Sequence, residues 1–433
     1  MTNRTNTNKK TRVTVIGLGY VGLPLALLLD KKGYESIGID IDENKVKMLN
    51  DMTFPFIAEK SVIKQFQKGS FKATTDFDSI INAKIIVICV PTPVYENNLP
   101  NLEPLKNACK SIATRLRKGH LIILESTVNP GVCDNVVIPL LEEDSGLKCG
   151  KDFHLAHCPE RLNPGDKKWT IENIPRVIGS FDEKGLRRAV RFYKSIISAE
   201  IKPMRSLKEA EAVKIVENTF RDINIAFVNE LAMSFSYLGI DVVNVIEGAA
   251  TKPFAFMPHY PGCGVGGHCI PVDPYYLIEY AKNVGFDHDF LTLARRINEK
   301  MTEFTAQLTV KALNEKRIAI NGTRVAVLGL SYKPEIDDCR ESPAFKIIKH
   351  LKNYGADVIA YDPYITSESN AKSLEEAIKN SPAIVIVTAH KIFKNLTPQD
   401  LLRNGVSVVI DGRNCLPKDD FIKAGILYKG IGR

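Results

Sequence analysis

A β-branched run, Thr11–Ile16, leads without a break into Gly17-Leu18-Gly19-Tyr20-Val21-Gly22, and Leu23–Leu29 continues as an apolar helix. Gly33 closes that helix, Ser36–Ile39 reads as a second short strand, and Asp40 ends it 23 residues after Gly17. A lone G-x-G-x-x-G can simply turn the chain. With a strand before it, a helix after it and an acid at the next strand end, it specifies a dinucleotide site. Gly17, Gly19, Tyr20, Val21 and Gly22 would let the backbone and the helix N-terminus approach a pyrophosphate. Asp40 can accept both ribose hydroxyls and would repel a 2′-phosphate, so the pattern favours NAD over NADP.

Further strands are expected at Ile85–Val90, Leu121–Leu124 and His154–Ala156, alternating with helical stretches around Glu103–Arg117 and Gly131–Glu142. That alternation predicts a parallel, doubly wound α/β sheet. Ligands bind beyond the carboxyl ends of such strands, where this chain has Val90-Pro91-Thr92-Pro93 and Glu125-Ser126-Thr127. Pro91, Thr92, Ser126 and Thr127 are therefore candidate cofactor contacts, although the threonines also suit capping or turn positions.

From Ser206 to Leu238 no Gly or Pro interrupts the chain, and Ala210, Val213, Val216, Phe220 and Ile223 recur at spacings of three and four. A 33-residue helix of this kind reads as a spine joining one domain to another. Lys214 and Asn218 share one of its faces, with Arg221 one turn on; a solvated face is the plain alternative. A second α/β unit begins at Arg324–Gly329 and runs into Leu330-Ser331-Tyr332-Lys333 without the glycine fingerprint. Ser342-Pro343 opens a helix to Tyr354, and strands are expected at Asp357–Tyr361, Ala383–Thr388 and Val408–Ile410, the last followed by Asp411-Gly412-Arg413. The expected fold is two Rossmann-like, doubly wound parallel-sheet domains, residues 12–203 and 317–433, joined by a helical segment, 204–316. Residues 1–11, rich in Thr, Asn and Lys, read as a disordered leader.

Between spine and second unit lies Pro261-Gly262-Cys263-Gly264-Val265-Gly266-Gly267-His268-Cys269, with Asp273 four residues on. Four glycines in six residues cost conformational entropy and imply that something approaches this backbone closely. A cysteine ending such a loop suggests a nucleophilic thiol, its thiolate favoured by a cation such as Lys214. Cys269 reads equally as an inert buried cysteine. His259, Cys263, His268 and Cys269 are conceivable zinc ligands, against which stand the adjacency of His268 and Cys269 and the want of a second ligand pair.

Composition narrows the classes. The nine cysteines are scattered without C-x-x-C pairs, an odd count that argues for reduced thiols, and the first twelve residues lack the apolar core of a secretory signal, so a cytoplasmic chain is expected. Apolar runs stop well short of a membrane span. The net charge of +8 owes half to the first twelve residues, and no aromatic-interleaved basic stripe appears. Neither a nucleic acid nor a membrane is an expected partner; a small anion is.

Taken together, Gly17–Gly22 with Asp40, Val90–Pro93, Glu125–Thr127, Cys158-Pro159-Glu160-Arg161, Lys214-x-x-x-Asn218, Gly264–Cys269, Lys333 with Asp337-Asp338-x-Arg340-x-Ser342-Pro343, and Asp411–Asn414 resemble the nucleotide-sugar 6-dehydrogenases over nearly the whole chain. The resemblance implies an N-terminal NAD domain, a central helical region that makes a homodimer, and a C-terminal domain holding the UDP part of the substrate. It implies two oxidations of a sugar C6 alcohol, through a Cys269 thiohemiacetal and thioester. Lys214 and Asn218 then serve the C6 oxyanion, Glu160 acts near the hydrolytic water that Thr127 positions, and Asp273 assists near the thiol. Glu160, Arg161, Lys214, Asn218, Arg221, Gly266, Lys333 and Arg413 match positions that hold the substrate. Gly266–Leu277, Thr251–Phe254 and Ser331–Pro334 look like the N-acetylhexosamine branch, UDP-N-acetylglucosamine ahead of the mannosamine and galactosamine epimers, with UDP-glucose as the alternative. A one-step, thiol-free dehydrogenase and a non-catalytic nucleotide-sugar sensor are the competing classes.

Overall fold

A strand that is apolar on both faces has to be covered on both sides, and the runs Ile85–Ile88 and Leu121–Leu124 are of this kind. A computed structural model describes residues 10–56, 60–95, 99–162 and 168–433; the expected leader lies, but for residues 10 and 11, outside them. Within these residues the chain divides into two compact units, one running to Glu217 and including Tyr275–Val284, the other comprising Asn218–Pro274 and Gly285–Arg433.

The first unit is built on β1 (Arg12–Ile16), β2 (Glu35–Ile39), β3 (Lys72–Thr74), β4 (Ile85–Ile88), β5 (Leu121–Leu124), β6 (His154–His157), β7 (Arg176–Ser180) and β8 (Ile201–Pro203). Their order is β3-β2-β1-β4-β5-β6-β7-β8. The order in which successive strands join the sheet reverses between the parallel neighbours β1 and β4, the switch point where such sheets bind nucleotides. Alternate strand residues feed separate cores, Val13, Val87 and Ile123 on one face and Ile86, Ile88 and Leu124 on the other. The sheet is not wholly parallel as expected: β7 runs antiparallel to β6, pairing Ala156 with Ser180 and His157 with Gly179. The helical stretch expected at Gly131–Glu142 also differs, because Pro139 brings no N–H. A π turn, Cys133–Val137, precedes the helix Ile138–Ser145, and the Ile138 N–H reaches back to the Cys133 carbonyl.

The second unit carries β9 (Arg324–Leu328), β10 (Asp357–Tyr361), β11 (Ala383–Ile386), β12 (Val408–Asp411) and β13 (Leu427–Gly430), all parallel, in the order β10-β9-β11-β12-β13. This too is a doubly wound order with one switch point, between β9 and β11. Val325, Val385 and Ile410 face one core, Ala326, Ile384 and Val409 the other. The spine is one helix, Leu207–Leu238, of 32 residues, and the division between units falls within it. Ser206 stays outside the helix because its hydroxyl caps it, accepting the Glu209 N–H at 3.1 Å.

Candidate active site

The glycine turn of the first unit shows why each glycine is there. Gly17 leaves β1 at φ +90°, and a Cβ on it would lie 2.6 Å from the Cys89 carbonyl oxygen. A Cβ on Gly22, where the helix Gly22–Lys31 begins, would lie 1.8 Å from the Gly17 oxygen. Gly19 differs: nothing lies within 4 Å of a Cβ built there. The protein's own packing asks for glycine at the ends of the turn, while the middle position is open for a backbone-hugging ligand beside a helix N-terminus. These residues fit a dinucleotide pyrophosphate. Val21 sits at the N-cap of that helix, and the Tyr20 ring lies 4.3 Å from that of Phe56, centroid to centroid.

Asp40 is already engaged. Its Oδ2 accepts the Leu18 N–H and the Lys45 ammonium, both at 2.8 Å, and its Oδ1 accepts the Asp42 N–H at 3.0 Å. The acid therefore braces the turn, and Lys45 offsets the negative charge that would repel a 2′-phosphate. A carboxylate oxygen has two lone pairs, so Oδ1 still has one to offer a ribose hydroxyl.

The two strand-end loops are stitched together. Thr92 Oγ1 donates to the Thr127 carbonyl at 2.6 Å, Ser126 Oγ to the Val90 carbonyl at 2.7 Å, and Tyr276 OH to the Thr92 carbonyl. Buried Glu211, on the spine, accepts the N–H groups of Gly131 at 2.5 Å and Cys133 at 2.8 Å. It thereby anchors the loop after Thr127 to the helix that carries Lys214 one turn later. Lys214 itself is half-buried.

Glu160 is buried, not open to solvent. Its Oε1 accepts the N–H groups of Arg161 at 2.7 Å and Leu162 at 2.6 Å, and its Oε2 lies 2.9 Å from Arg176 Nη2. Arg176 begins β7, is fully buried, and also stands 3.5 Å from Glu125 Oε1, which accepts the Tyr193 hydroxyl. The guanidinium pairs with both acids by charge and proximity, its N–H groups being off hydrogen-bond lines. Burial pushes Glu125 up to about 7, against the pull of Arg176. Nothing in the sequence singles out Tyr193, whereas an arginine heading the buried run Arg176–Ser180 is a legible signal. Arg161 forks onto Glu217, with Nη2 2.5 Å from Oε1 and Nε 3.2 Å from Oε2.

In the second unit Asn218, Cys269 and Asp273 come together. Asn218 Nδ2 donates to Asp273 Oδ2 at 2.5 Å, and the Asp273 N–H donates to the Cys269 carbonyl at 2.8 Å; Asn218 and Asp273 are buried. The thiol loop's glycines answer to the chain's own packing. A Cβ on Gly266 would strike the Glu341 carbonyl, Pro343 and Tyr332, each at 2.9 Å, and one on Gly267 the Tyr332 ring at 2.8 Å. Gly266 thus packs against protein on the side where a Cβ would stand. Arg413 Nη1 fills the space over Gly262, and its Nε donates to the Val387 carbonyl at 2.7 Å. Lys333 is half-buried in the loop after β9, and Arg221 is exposed on the spine.

A buried polar chain then pins the loop's start. Arg295 Nη1 donates to Asp222 Oδ1 at 2.6 Å, Asn298 Nδ2 to the same oxygen at 2.8 Å, Asn229 Nδ2 to Asn298 Oδ1 at 2.8 Å, and the Gly262 N–H to Asn229 Oδ1 at 3.0 Å. The four conceivable zinc ligands do not gather: among the described residues no group of three His, Cys, Asp or Glu is placed to hold a metal ion.

Residues 11–197, 208–300 and 326–418 match, in turn, the NAD binding, central and UDP binding domains of the UDP-glucose/GDP-mannose dehydrogenase family. The chain belongs to that family. It is an NAD-dependent UDP-sugar dehydrogenase, an oxidoreductase. Its relatives include a UDP-N-acetyl-D-mannosamine dehydrogenase of Pyrococcus horikoshii, 37% identical over 427 residues, 98% of this chain and 99% of that one. A UDP-N-acetyl-D-glucosamine 6-dehydrogenase of Pseudomonas aeruginosa is 36% identical over 422 residues, 95% and 98% of the two chains. The solved structure of the Pyrococcus horikoshii UDP-D-ManNAc dehydrogenase superposes with a TM-score of 0.91 at 37% identity, covering 98% of this chain and 99% of that one.

Proposed function

We propose that the chain oxidises the C6 hydroxyl of a UDP-N-acetylhexosamine twice, to the uronate, with UDP-N-acetylglucosamine first among the epimers. The observation that carries this reading is the grouping of Asn218, Asp273 and Cys269 in one unit, on a loop whose sequence runs Gly266-Gly267-His268-Cys269-Ile270-Pro271-Val272-Asp273. The names of the relatives, divided between mannosamine and glucosamine, support an acetylated hexosamine over glucose.

NAD, held on the Gly17–Gly22 turn and Asp40, supplies the hydride acceptor. The Cys269 thiolate adds to the C6 aldehyde left by the first oxidation, and the second oxidation converts that thiohemiacetal into a thioester. Lys214 and the second N–H of the Asn218 amide stabilise charge on the C6 oxygen. Asp273 fixes the Asn218 amide through their hydrogen bond. Water then releases the uronate, Glu160 receiving its proton and Thr127 orienting it. Lys333 and Arg413 hold the UDP diphosphate, as bidentate or point cations can.

The reading includes three domains, 12–203 for NAD, 204–316 as the helical centre and 317–433 for UDP, and a homodimer. The second unit exposes Phe220 and Phe227 on the spine, Tyr237, Leu238, Phe254 and Phe290, which suits a self-complementary apolar face. It also includes a cytoplasmic setting: all nine cysteines are unpaired, and among the described residues no helix is long and apolar enough to cross a membrane.

The test is stoichiometry across UDP-N-acetylglucosamine, its mannosamine and galactosamine epimers, and UDP-glucose. Two NADH and one uronate per sugar are expected, with Cys269→Ala giving at most a slow first oxidation. One NADH per sugar in the native protein would overturn the thiol mechanism in favour of a one-step dehydrogenase.

A further inference from the structure

Glu160 is held from both sides of its carboxylate, and the cation that holds it is shared. Arg176 Nη2 lies 2.9 Å from Glu160 Oε2, and Nη1 lies 3.5 Å from Glu125 Oε1. The Arg176 guanidinium has no solvent exposure, with the Tyr193 ring 5.6 Å from its centre, and both acids are buried. One buried cation thus serves two buried carboxyls. Two buried carboxylates on one cation leave a net negative charge away from water, which is costly, so one acid keeps a proton over part of the working pH range. The two acids are not equivalent: two backbone N–H groups hold Glu160 Oε1, whereas Glu125 has the neutral hydroxyl of Tyr193.

We propose that Arg176 is a positioning residue for Glu160 in uronate release, and that protonation of Glu125 decides how much of the guanidinium's charge Glu160 receives. The proposal rests on the reading of Glu160 as the group that takes the proton of the hydrolytic water. In that step the water oxygen bonds to the thioester carbon, the carbon–sulfur bond breaks, its electron pair leaves on Cys269 Sγ, and one water proton goes to Glu160. When Glu125 is protonated, Arg176 pairs with Glu160 alone and damps its ability to take that proton. When Glu125 is ionised the guanidinium is divided, and Glu160 becomes the better acceptor.

The groups facing Glu125 are Arg176 from β7, Glu160 and Cys158 from the segment after β6, Tyr193 from the helix Glu183–Ile196, and Cys89 from the segment after β4. Burial raises the thiols of Cys89 and Cys158, the latter to about 12, and raises the Tyr193 phenol, so these stay neutral. Burial lifts Glu125 itself to about 7, Arg176 pulls it down and Glu160 pushes it up. The rate of acyl-enzyme hydrolysis is therefore expected to climb as pH rises through about 7.

The experiment is rapid-quench mass spectrometry of the sugar-bound enzyme from pH 6 to 8, using the UDP-sugar of the panel turned over fastest, with thermal melting and NAD titration alongside. Native hydrolysis should rise several-fold across that interval, and Glu125→Gln should flatten the rise while melting and NAD affinity stay native-like. Tyr193→Phe removes a hydrogen bond that favours ionised Glu125, so it should move the rise to higher pH. This second variant serves if Glu125→Gln fails to fold. Arg176→Lys, which keeps one charge but has a single nitrogen to divide between the two acids, should slow hydrolysis tenfold or more without raising the KM for NAD. A native pH profile in Glu125→Gln or in Tyr193→Phe would overturn the proposal alone, provided Glu160→Gln stalls with sugar on the enzyme. Native hydrolysis in Glu160→Gln would overturn the role of Glu160 and the proposal with it.

Discussion

The two glycine turns, at Gly17 and at Gly329, are the same device put to different ends. Gly17 at φ +90° donates its N–H to the Ile39 carbonyl at 2.8 Å, and Gly329 at φ +98° donates to the Tyr361 carbonyl at 2.9 Å. In each, the acid ending the neighbouring strand takes the next backbone N–H, Asp40 from Leu18 at 2.8 Å and Asp362 from Leu330 at 2.7 Å. Beyond that residue they part. Gly19 is open and the helix begins at Gly22, whereas after Gly329 the helix waits until Pro343 and the chain fills the space with its own groups. His390 is completely buried there, 2.9 Å from Ser331 Oγ and 3.1 Å from Asp362, and accepts the Glu335 N–H at 3.0 Å. Thr388 Oγ1 donates to the Ser331 carbonyl at 2.5 Å. The lesson is that the strand–turn–acid frame is a folding device, and the phosphate-binding loop is a separable addition to it.

The largest effects belong to the glycines. A Cβ on Gly17 meets the Cys89 carbonyl at 2.6 Å and one on Gly329 meets Thr388 at 2.5 Å, both at positive φ. Gly17→Ala and Gly329→Ala should each cost about 3 kcal/mol or more of stability. Gly19→Ala meets nothing, so it should melt like the native protein yet bind NAD about tenfold to a hundredfold more weakly, roughly 1.4–2.7 kcal/mol. Calorimetry with NAD titration reads both, and a Gly19→Ala protein that binds NAD normally would undo the assignment of the open turn.

The two acids should differ in the same way. Asp362 is wholly buried and takes four backbone N–H groups, from Leu330, Ser331, Tyr364 and Ile365, besides His390. Asp362→Asn should therefore cost about 2–4 kcal/mol with NAD affinity untouched, since charge-assisted bonds are worth roughly twice neutral ones. Asp40→Asn should cost less in melting and more in NAD binding. Equal melting losses in the two would mean that both acids serve mainly as braces.

The smallest effect separates the units by pH. Burial drives His157 down to about 3 and His120 to about 4. Unfolded histidines bind protons that these native ones refuse, so the first unit loses stability as pH falls below about 6.5, partly offset above about 4.5 by Glu125. Burial alone would raise Asp362, but the His390 bond and the Ser331 and Tyr364 N–H groups hold it well below the ordinary range. Its contribution is present above the unfolded value near 4 and is lost only as pH falls through the lower native one. Hydrogen exchange on acidification should open β5 and β6 before β9 and β10; the reverse order would refute this account.

What the sequence determined by itself was whatever neighbours along the chain decide. The apolar runs at Leu121–Leu124 and Asp357–Tyr361 became strands over the residues expected, and the uninterrupted three-and-four spacing from Ser206 became the spine, one residue shorter for its serine cap. Gly17–Gly22 with Asp40 was legible because a turn, its φ requirement and its helix lie within two dozen residues. How charges are matched depends on packing between residues far apart in the chain. Lys45 on Asp40, Glu217 on Arg161, and Arg176 between Glu125 and Glu160 pair residues whose separations along the chain carry no period to read. The thiol loop makes the same point: its glycines announced a close approach, but what approaches, Tyr332, Pro343 and Arg413, comes from residues 65 to 151 positions further along. Burial is a property of the packed sheet, and burial is what turns those distant pairings from weak surface contacts into the forces that orient a site.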